Sequence, residues 1–267
     1  MSSDPRPARI SRAAEIAAAW VGRPGMIGAY LTGSATRAYA DDNSDLDIVI
    51  VGEDDAVAAI HPDRRYKMGI DRGPPRRKAY DLLVLAWTTL AQLRTSDLDH
   101  YRQPFQHVVV LHDAAGRIAG LVREIAALPR EIRDERMRVH CYEYLWGQTR
   151  AARCVARGDL VNARMVAAAS LIAAAKCMFL AQDAWPAKLQ WSSHELREAG
   201  VPEELVTRFE HAWLHLDGAS DLALQQMFLD WLTAKGFTFH RYTVELTNWA
   251  VTDPAGIAAV HRWARTH

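Results

Sequence analysis

The segment LTGSATRAYADDNSDLDIVIV, Leu31 to Val51, sets two aspartates, Asp45 and Asp47, at the entry of an apolar run. Side chains alternate faces along a strand, so Asp45 and Asp47 share one side while Leu46, Ile48 and Ile50 point into a core. Two carboxylates that close repel each other, and a divalent cation offsets that cost; hard oxygen ligands suit Mg2+. A third carboxylate, Asp81, interrupts the apolar run AYDLLVLAW (79–87), where a lone charge is costly to bury without a partner. If the two runs are neighbouring strands, three carboxylates converge. Such a set can hold two Mg2+ ions and steady the attacking and leaving oxygens of an in-line phosphoryl displacement. Asp45 and Asp47 then bridge the ions. Asp81 ligates the ion on the acceptor side and can take the acceptor hydroxyl's proton.

Upstream, Gly33 lets the backbone approach a phosphate closely. Ser34 can cap the following turn and offer its hydroxyl and nearby amides to polyphosphate oxygens. Arg37 can add charge from the same turn. Taken singly, each feature has a plain reading: an ordinary turn, a solvated strand entry, a charge at a strand edge. Their order and spacing along one segment carry the argument.

These residues need elements to position them. Residues 11–21 read as a helix with Ser11 as its N-cap. Strands are expected at 26–31, 46–51, 79–87 and 107–112, with a short helical turn over TRAYA. Strands mixed with helices make the first part a small α/β or α+β domain. From Ala114 onward the pattern is helical: 114–127, 131–157, 160–182, 202–216 and 219–235, then one or two helices near the C-terminus. Pro129, Gly158, Pro186, Pro202, Gly218 and Gly236 punctuate them. The expected fold class is α+β, with a small mixed-sheet domain at 1–128 followed by an all-α helical bundle at 129–267.

A strand ending in Gly-Ser, a polar connection, Asp-x-Asp in an apolar strand, and a later strand with a third acid resembles the nucleotidyltransferase superfamily related to DNA polymerase beta. It is most similar to the aminoglycoside and lincosamide nucleotidyltransferase-type branch, in which a helical domain follows the catalytic one. The motifs cover Met26 to Trp87; the remainder matches in architecture only. The resemblance implies ATP or another NTP as donor, Mg2+, release of pyrophosphate, and transfer of a nucleoside monophosphate, AMP in most of the branch, to a hydroxyl of a small molecule. It assigns Gly33 and Ser34 to the triphosphate turn and Asp45, Asp47 and Asp81 to the metal and to catalysis. Some members take the base from the third strand acid, others from a glutamate of the helical domain, where Glu135 and Glu143 are the candidates. Lys188, in WPAKLQW, loosely matches a segment of lincosamide-type relatives and becomes a nucleotide contact or a cleft-lining residue. Two other readings stay open: a transferase that adenylylates a partner protein, as some antitoxins do, and a nucleotide-binding module without catalysis.

The remaining features bound the answer. Lys plus Arg balance Asp plus Glu at 32 each, which lowers the expectation of a long nucleic acid as partner. The three cysteines have no CxxC spacing, which argues against a zinc knuckle or redox motif, and their odd number in a chain of ordinary size fits a reducing cytoplasm. The N-terminus has no apolar signal core. The stretch VAAASLIAAAKCMFLA, interrupted by Lys176, reads as a buried helix too short to span a bilayer comfortably, so no membrane is expected. Lys176 reads as a snorkelling lysine or a triphosphate contact. The basic segment 63–81, with Arg64, Arg65, Arg72, Arg76 and Arg77, reads as a solvated connection or a flap that attracts an anion. A cationic acceptor would call for an acidic cleft from Glu135, Glu143 or Asp183. The nine tryptophans read mainly as packing, with one or two available to stack on a base or sugar. Arg133 and His140 have the Arg-x6-His spacing of HEPN ribonucleases, a cheap match in an Arg-rich chain.

Overall fold

The computed structural model of the chain describes residues 4–41, 44–70, 78–216, 221–238 and 243–264. It divides into two compact units, Met1–Ala127 and Leu128–His267. The architecture is α+β, with a mixed sheet in the first unit and helices in the second.

The first unit opens with α1 (Arg6–Val21). The helix begins five residues before the expected start at Ser11. The Asp4 carboxylate accepts from the Arg6 amide at 3.0 Å, and Pro7 sits in the first turn, where no amide partner is needed. The strands are β1 (Met26–Thr32), β2 (Leu46–Gly52), β3 (Tyr66–Ile70), β4 (Lys78–Ala86) and β5 (Val109–Asp113). Between them lie the short helices α2 (Asp54–Ala58), α3 (Trp87–Gln92) and α4 (Asp99–Arg102), and α5 (Arg117–Ala126) follows β5.

The sheet order is β3-β4-β2-β1-β5. β2 and β4 run parallel, and the other neighbouring pairs are antiparallel. β3 was not expected; it lies in the segment read as a connection. Its alternation is hidden because Tyr66, Met68 and Ile70 all stay exposed at the sheet edge. Both faces are covered near the centre. Ala13 and Ala17 of α1 pack on Leu31, Ile48, Ile50 and Leu82, while Leu90, Ile118 and Ile125 of α3 and α5 pack on Tyr30, Val49 and Val51. Each large apolar side chain removed from water in this way contributes about 1.5–3 kcal/mol.

The second unit is built on the pair α6 (Arg130–Ala156) and α7 (Leu160–Leu180). The two helices approach closely at Gly147, where a methyl would come within 2.6 Å of the Ser170 side chain. Gln148 donates to the Ser170 hydroxyl at 2.8 Å, and that hydroxyl donates to the Tyr144 carbonyl at 2.9 Å. These bonds satisfy polar groups inside an otherwise apolar contact. The unit continues through α8 (Ser192–Glu198), which was not expected, α9 (Glu203–Leu214), α10 (Leu222–Ala234), α11 (Thr243–Thr252) and α12 (Pro254–Trp263).

By length and composition α7 could cross a membrane, against the expectation that the stretch is too short. The apolar stretch counts only from Val166, whereas the helix starts at Leu160, and Lys176 within it is only 9% exposed. Leu171, Cys177, Met178, Phe179 and Leu180 are buried within the helical unit, so the helix acts as its core.

Candidate active site

The parallel register pairs Asp47 with Asp81 directly. The same register continues outward to Thr32 on β1 and Met68 on β3, forming one row across the sheet. Asp45 precedes β2 by one residue and shares the face of Asp47, as alternation requires. Further along that face lie the buried Val49 and Val51, so the acids stand where the apolar layer ends. One oxygen from each of Asp45, Asp47 and Asp81 falls within 4.8 Å of the others. All three residues are half-buried.

The backbone of β1 turns sharply beside this trio. Gly33 has φ 77° and ψ −165°, a region that only glycine enters readily. A methyl at Gly33 would lie 2.0 Å from Asp47 Oδ2. Gly33 therefore serves both the turn and the close approach of chain to carboxylate. Ser34 was expected to cap the next turn; instead Gly33 holds the cap position and Ser34 is the first residue of a single 3-10 turn, Ser34–Thr36. The Thr36 hydroxyl closes the turn by donating to the Gly33 carbonyl at 2.8 Å. Arg37 ends the turn, its amide donating to the Ser34 carbonyl, and it is only 4% exposed.

Two residues at the trio were not singled out in the sequence. Lys78 forms ion pairs with both Asp45 and Asp81, the latter at 2.8 Å. The Tyr66 hydroxyl donates to the other Asp81 oxygen at 2.7 Å. Burial pushes the Asp81 carboxyl up, but the bonds from Lys78 and Tyr66 outweigh it and hold the group below its usual range. Those bonds act in reverse on the partners: the carboxylates raise the Lys78 ammonium, and Asp81 raises the Tyr66 phenol.

The donor set fits Mg2+. It consists of carboxylate oxygens beside or on two adjacent strands, close enough to share one small ion, with the Gly33 backbone packed against the Asp47 carboxylate.

The helical unit answers several expectations differently. Glu135 accepts from the Trp263 indole at 2.5 Å and lies 3.8 Å from Arg262. Glu143 Oε2 lies 2.7 Å from Nδ1 of the fully buried His140. Burial pushes the Glu143 carboxyl up to about 7, opposed by the Lys176 ammonium. Asp183 pairs with Arg133. The three acids proposed for an acidic cleft are thus each engaged locally, and burial disfavours charge on Glu143. The HEPN spacing does not form a surface pair either: Arg133 is held by Asp134 and Asp183, and His140 has no exposed surface.

Lys188 precedes a 3-10 turn, Leu189–Trp191, and its carbonyl accepts from the Ser192 hydroxyl. Beyond that turn, a cavity of about 660 Å³ is lined by Ile172, Leu189, Phe209 and Trp213, with Ser192 and Glu210 as polar groups. Among the tryptophans, Trp185 and Trp263 are each 1% exposed and flank the Arg136 guanidinium at 5.5 and 4.8 Å. Their faces are committed to packing and a cation–π contact. Arg72, Arg76 and Arg77 of the basic segment lie outside the described residues; Arg65 donates to the Ile60 carbonyl at 3.0 Å and so helps close the turn before β3.

Residues 103–192 match the model of a domain of unknown function, DUF4037, which spans the end of the first unit and the start of the second. No curated protein matches the chain. Among solved structures, the chain is similar over 97% of its length to a nucleotidyltransferase-like protein from Exiguobacterium sibiricum 255-15, covering 80% of that chain at 13% identity with a TM-score of 0.44.

Proposed function

We propose that this protein is a Mg2+-dependent nucleotidyltransferase that moves AMP from ATP to a hydroxyl of a small molecule and releases pyrophosphate. The convergence of Asp45, Asp47 and Asp81 carries the reading, with oxygens within 4.8 Å of one another beside a glycine-only turn. When bound, Mg2+ would neutralise charge on the polyphosphate and align it for in-line attack. Asp45, Asp47 and Asp81 would hold the metal. The Gly33-Ser34 turn would let the triphosphate come close to the backbone. Arg37, buried at the end of that turn, would add positive charge beside the polyphosphate. Asp81 is kept ionised by its neighbours and would accept the proton of the acceptor hydroxyl.

Glu135 is engaged with an indole and Glu143 is buried beside His140, so Asp81 is the base this reading favours. The largely apolar cavity beside Lys188 supports a small-molecule role for the helical unit and favours an acceptor with an apolar body over a polycation. The free cysteines agree with the cytoplasmic setting proposed for the enzyme.

The test is pyrophosphate release from each NTP with Mg2+ across a panel of hydroxyl acceptors. Activity that requires an acceptor and is lost in Asp45→Asn and Asp47→Asn supports the reading. Equal pyrophosphate release by wild type and both variants would refute it, and a labelled protein band from labelled ATP would redirect it to protein modification.

A further inference from the structure

We propose that Lys78 is a built-in counter-ion of the carboxylate trio, which a divalent cation must displace to enter; this rests on reading the trio as a metal site. A single ammonium bridges two of the three acids, pairing with Asp45 and with Asp81 at 2.8 Å. It occupies the side of the trio that those two carboxylates would offer to an ion.

This placement is not the default for its position in the chain. Lys78 lies three residues before Asp81, and strict alternation would put it on the opposite face. The β3–β4 register slips at this point: Gly69 pairs with Tyr80, and Ile70 with Lys78. Ala79 is the extra residue, so the alternation shifts by one and Lys78 joins the face of Asp81. The bulge thus aims a lysine at the acids.

The electrostatic consequence is direct. Asp45, Asp47 and Asp81 lie close together with like charge, and one monovalent cation offsets part of the repulsion. The chain can fold around the acids without metal. An entering divalent ion must then break two ion pairs as well as bind carboxylates, so its net affinity is lower than the three acids alone would provide. At 41% exposure the Lys78 side chain has room to swing aside. The site therefore favours metal that arrives with an anionic donor over free metal.

The test uses the full chain and Mn2+ as probe, without nucleotide, following free Mn2+ by electron paramagnetic resonance. Lys78→Met is expected to lower the Mn2+ dissociation constant by about tenfold or more, whereas Lys78→Arg, which keeps the charge, stays within about threefold of wild type. Unchanged or weaker binding by Lys78→Met, with wild type binding Mn2+ and Asp47→Asn failing to, overturns the role of Lys78 and leaves the metal site standing. Equal binding by wild type, Lys78→Met and Asp47→Asn overturns both. A second measurement needs no variant. In the metal-free wild type, Lys78 should acylate more slowly than the exposed Lys67, and Mn2+ should speed Lys78 alone. An unchanged rate at Lys78 once Mn2+ is bound overturns the inference.

Discussion

The α-carbon of Gly33 rests against the carboxylate of Asp47, so closely that a methyl there would come within 2.0 Å of Oδ2. The turn after β1 and the second acid of β2 are thus parts of one device. Gly33→Ala must relieve both the contact and a backbone conformation at φ 77° that other residues avoid. The expected cost is about 1–3 kcal/mol of stability. Pyrophosphate release should fall far more than that implies, because the turn and Asp47 would move apart. Thermal melting and an activity assay check this; near-wild-type turnover would contradict the coupling.

Asp47 should matter far more to function than to stability. It is one of three acids packed together. Asp47→Asn lowers the like charge gathered there and keeps the shape, so the metal-free protein should stay within about 1 kcal/mol of wild type. Turnover should drop about a hundredfold or more. Mg2+ with ATP should raise the melting temperature of wild type but not of the variant. Melting curves with and without Mg2+ and ATP decide the matter.

Glu143 sets a pH dependence in the helical unit. Its carboxyl is pushed from 4.5 up to about 7 by burial, with Lys176 opposing. Between those values the folded chain holds a proton that the unfolded chain has released. Stability therefore falls as pH rises through that window and is level above it. The whole effect is on the order of 3 kcal/mol at most. Glu143→Gln should flatten this part of the profile. Denaturant unfolding from about pH 5 to about pH 8 measures it, and parallel wild-type and variant profiles would show that Glu143 is not the group responsible.

Gly147 tests the α6–α7 contact. Alanine is the better helix former by about 1 kcal/mol. Its methyl, however, would lie 2.6 Å from the Ser170 side chain. Overpacking of this kind costs about 1–3 kcal/mol, so the steric term should win and Gly147→Ala should melt lower. A variant that melts higher would mean that the helices separate more easily than the contact implies.

Local pattern revealed much of this protein. The apolar runs around Ile48 and Leu82 read as strands, and the helical half read as helices, because their burial repeats with the period of the element. The triad could be nominated because a carboxylate inside an apolar run is costly without a partner. β3 escaped notice because Tyr66, Met68 and Ile70 lie on an exposed edge and show no alternation. The start of α1 was misplaced because an aspartate two residues before Arg6 and a proline at position 7 replaced the expected serine cap. Glu135 reads as an open acid in the sequence because its partner, the Trp263 indole that donates to it, is distant along the chain.

What the chain determined by itself was composition and spacing: which residues carry charge, which runs are apolar, and that Asp45 and Asp47 share a face. Only the tertiary structure decided who meets whom. The parallel pairing of β2 and β4 brings Asp81 opposite Asp47, and a one-residue slip at Ala79 turns Lys78 toward the acids. Strand order and register depend on contacts between segments far apart in sequence. No local periodicity encodes them, and a slip of one residue reverses the face on which a charge appears.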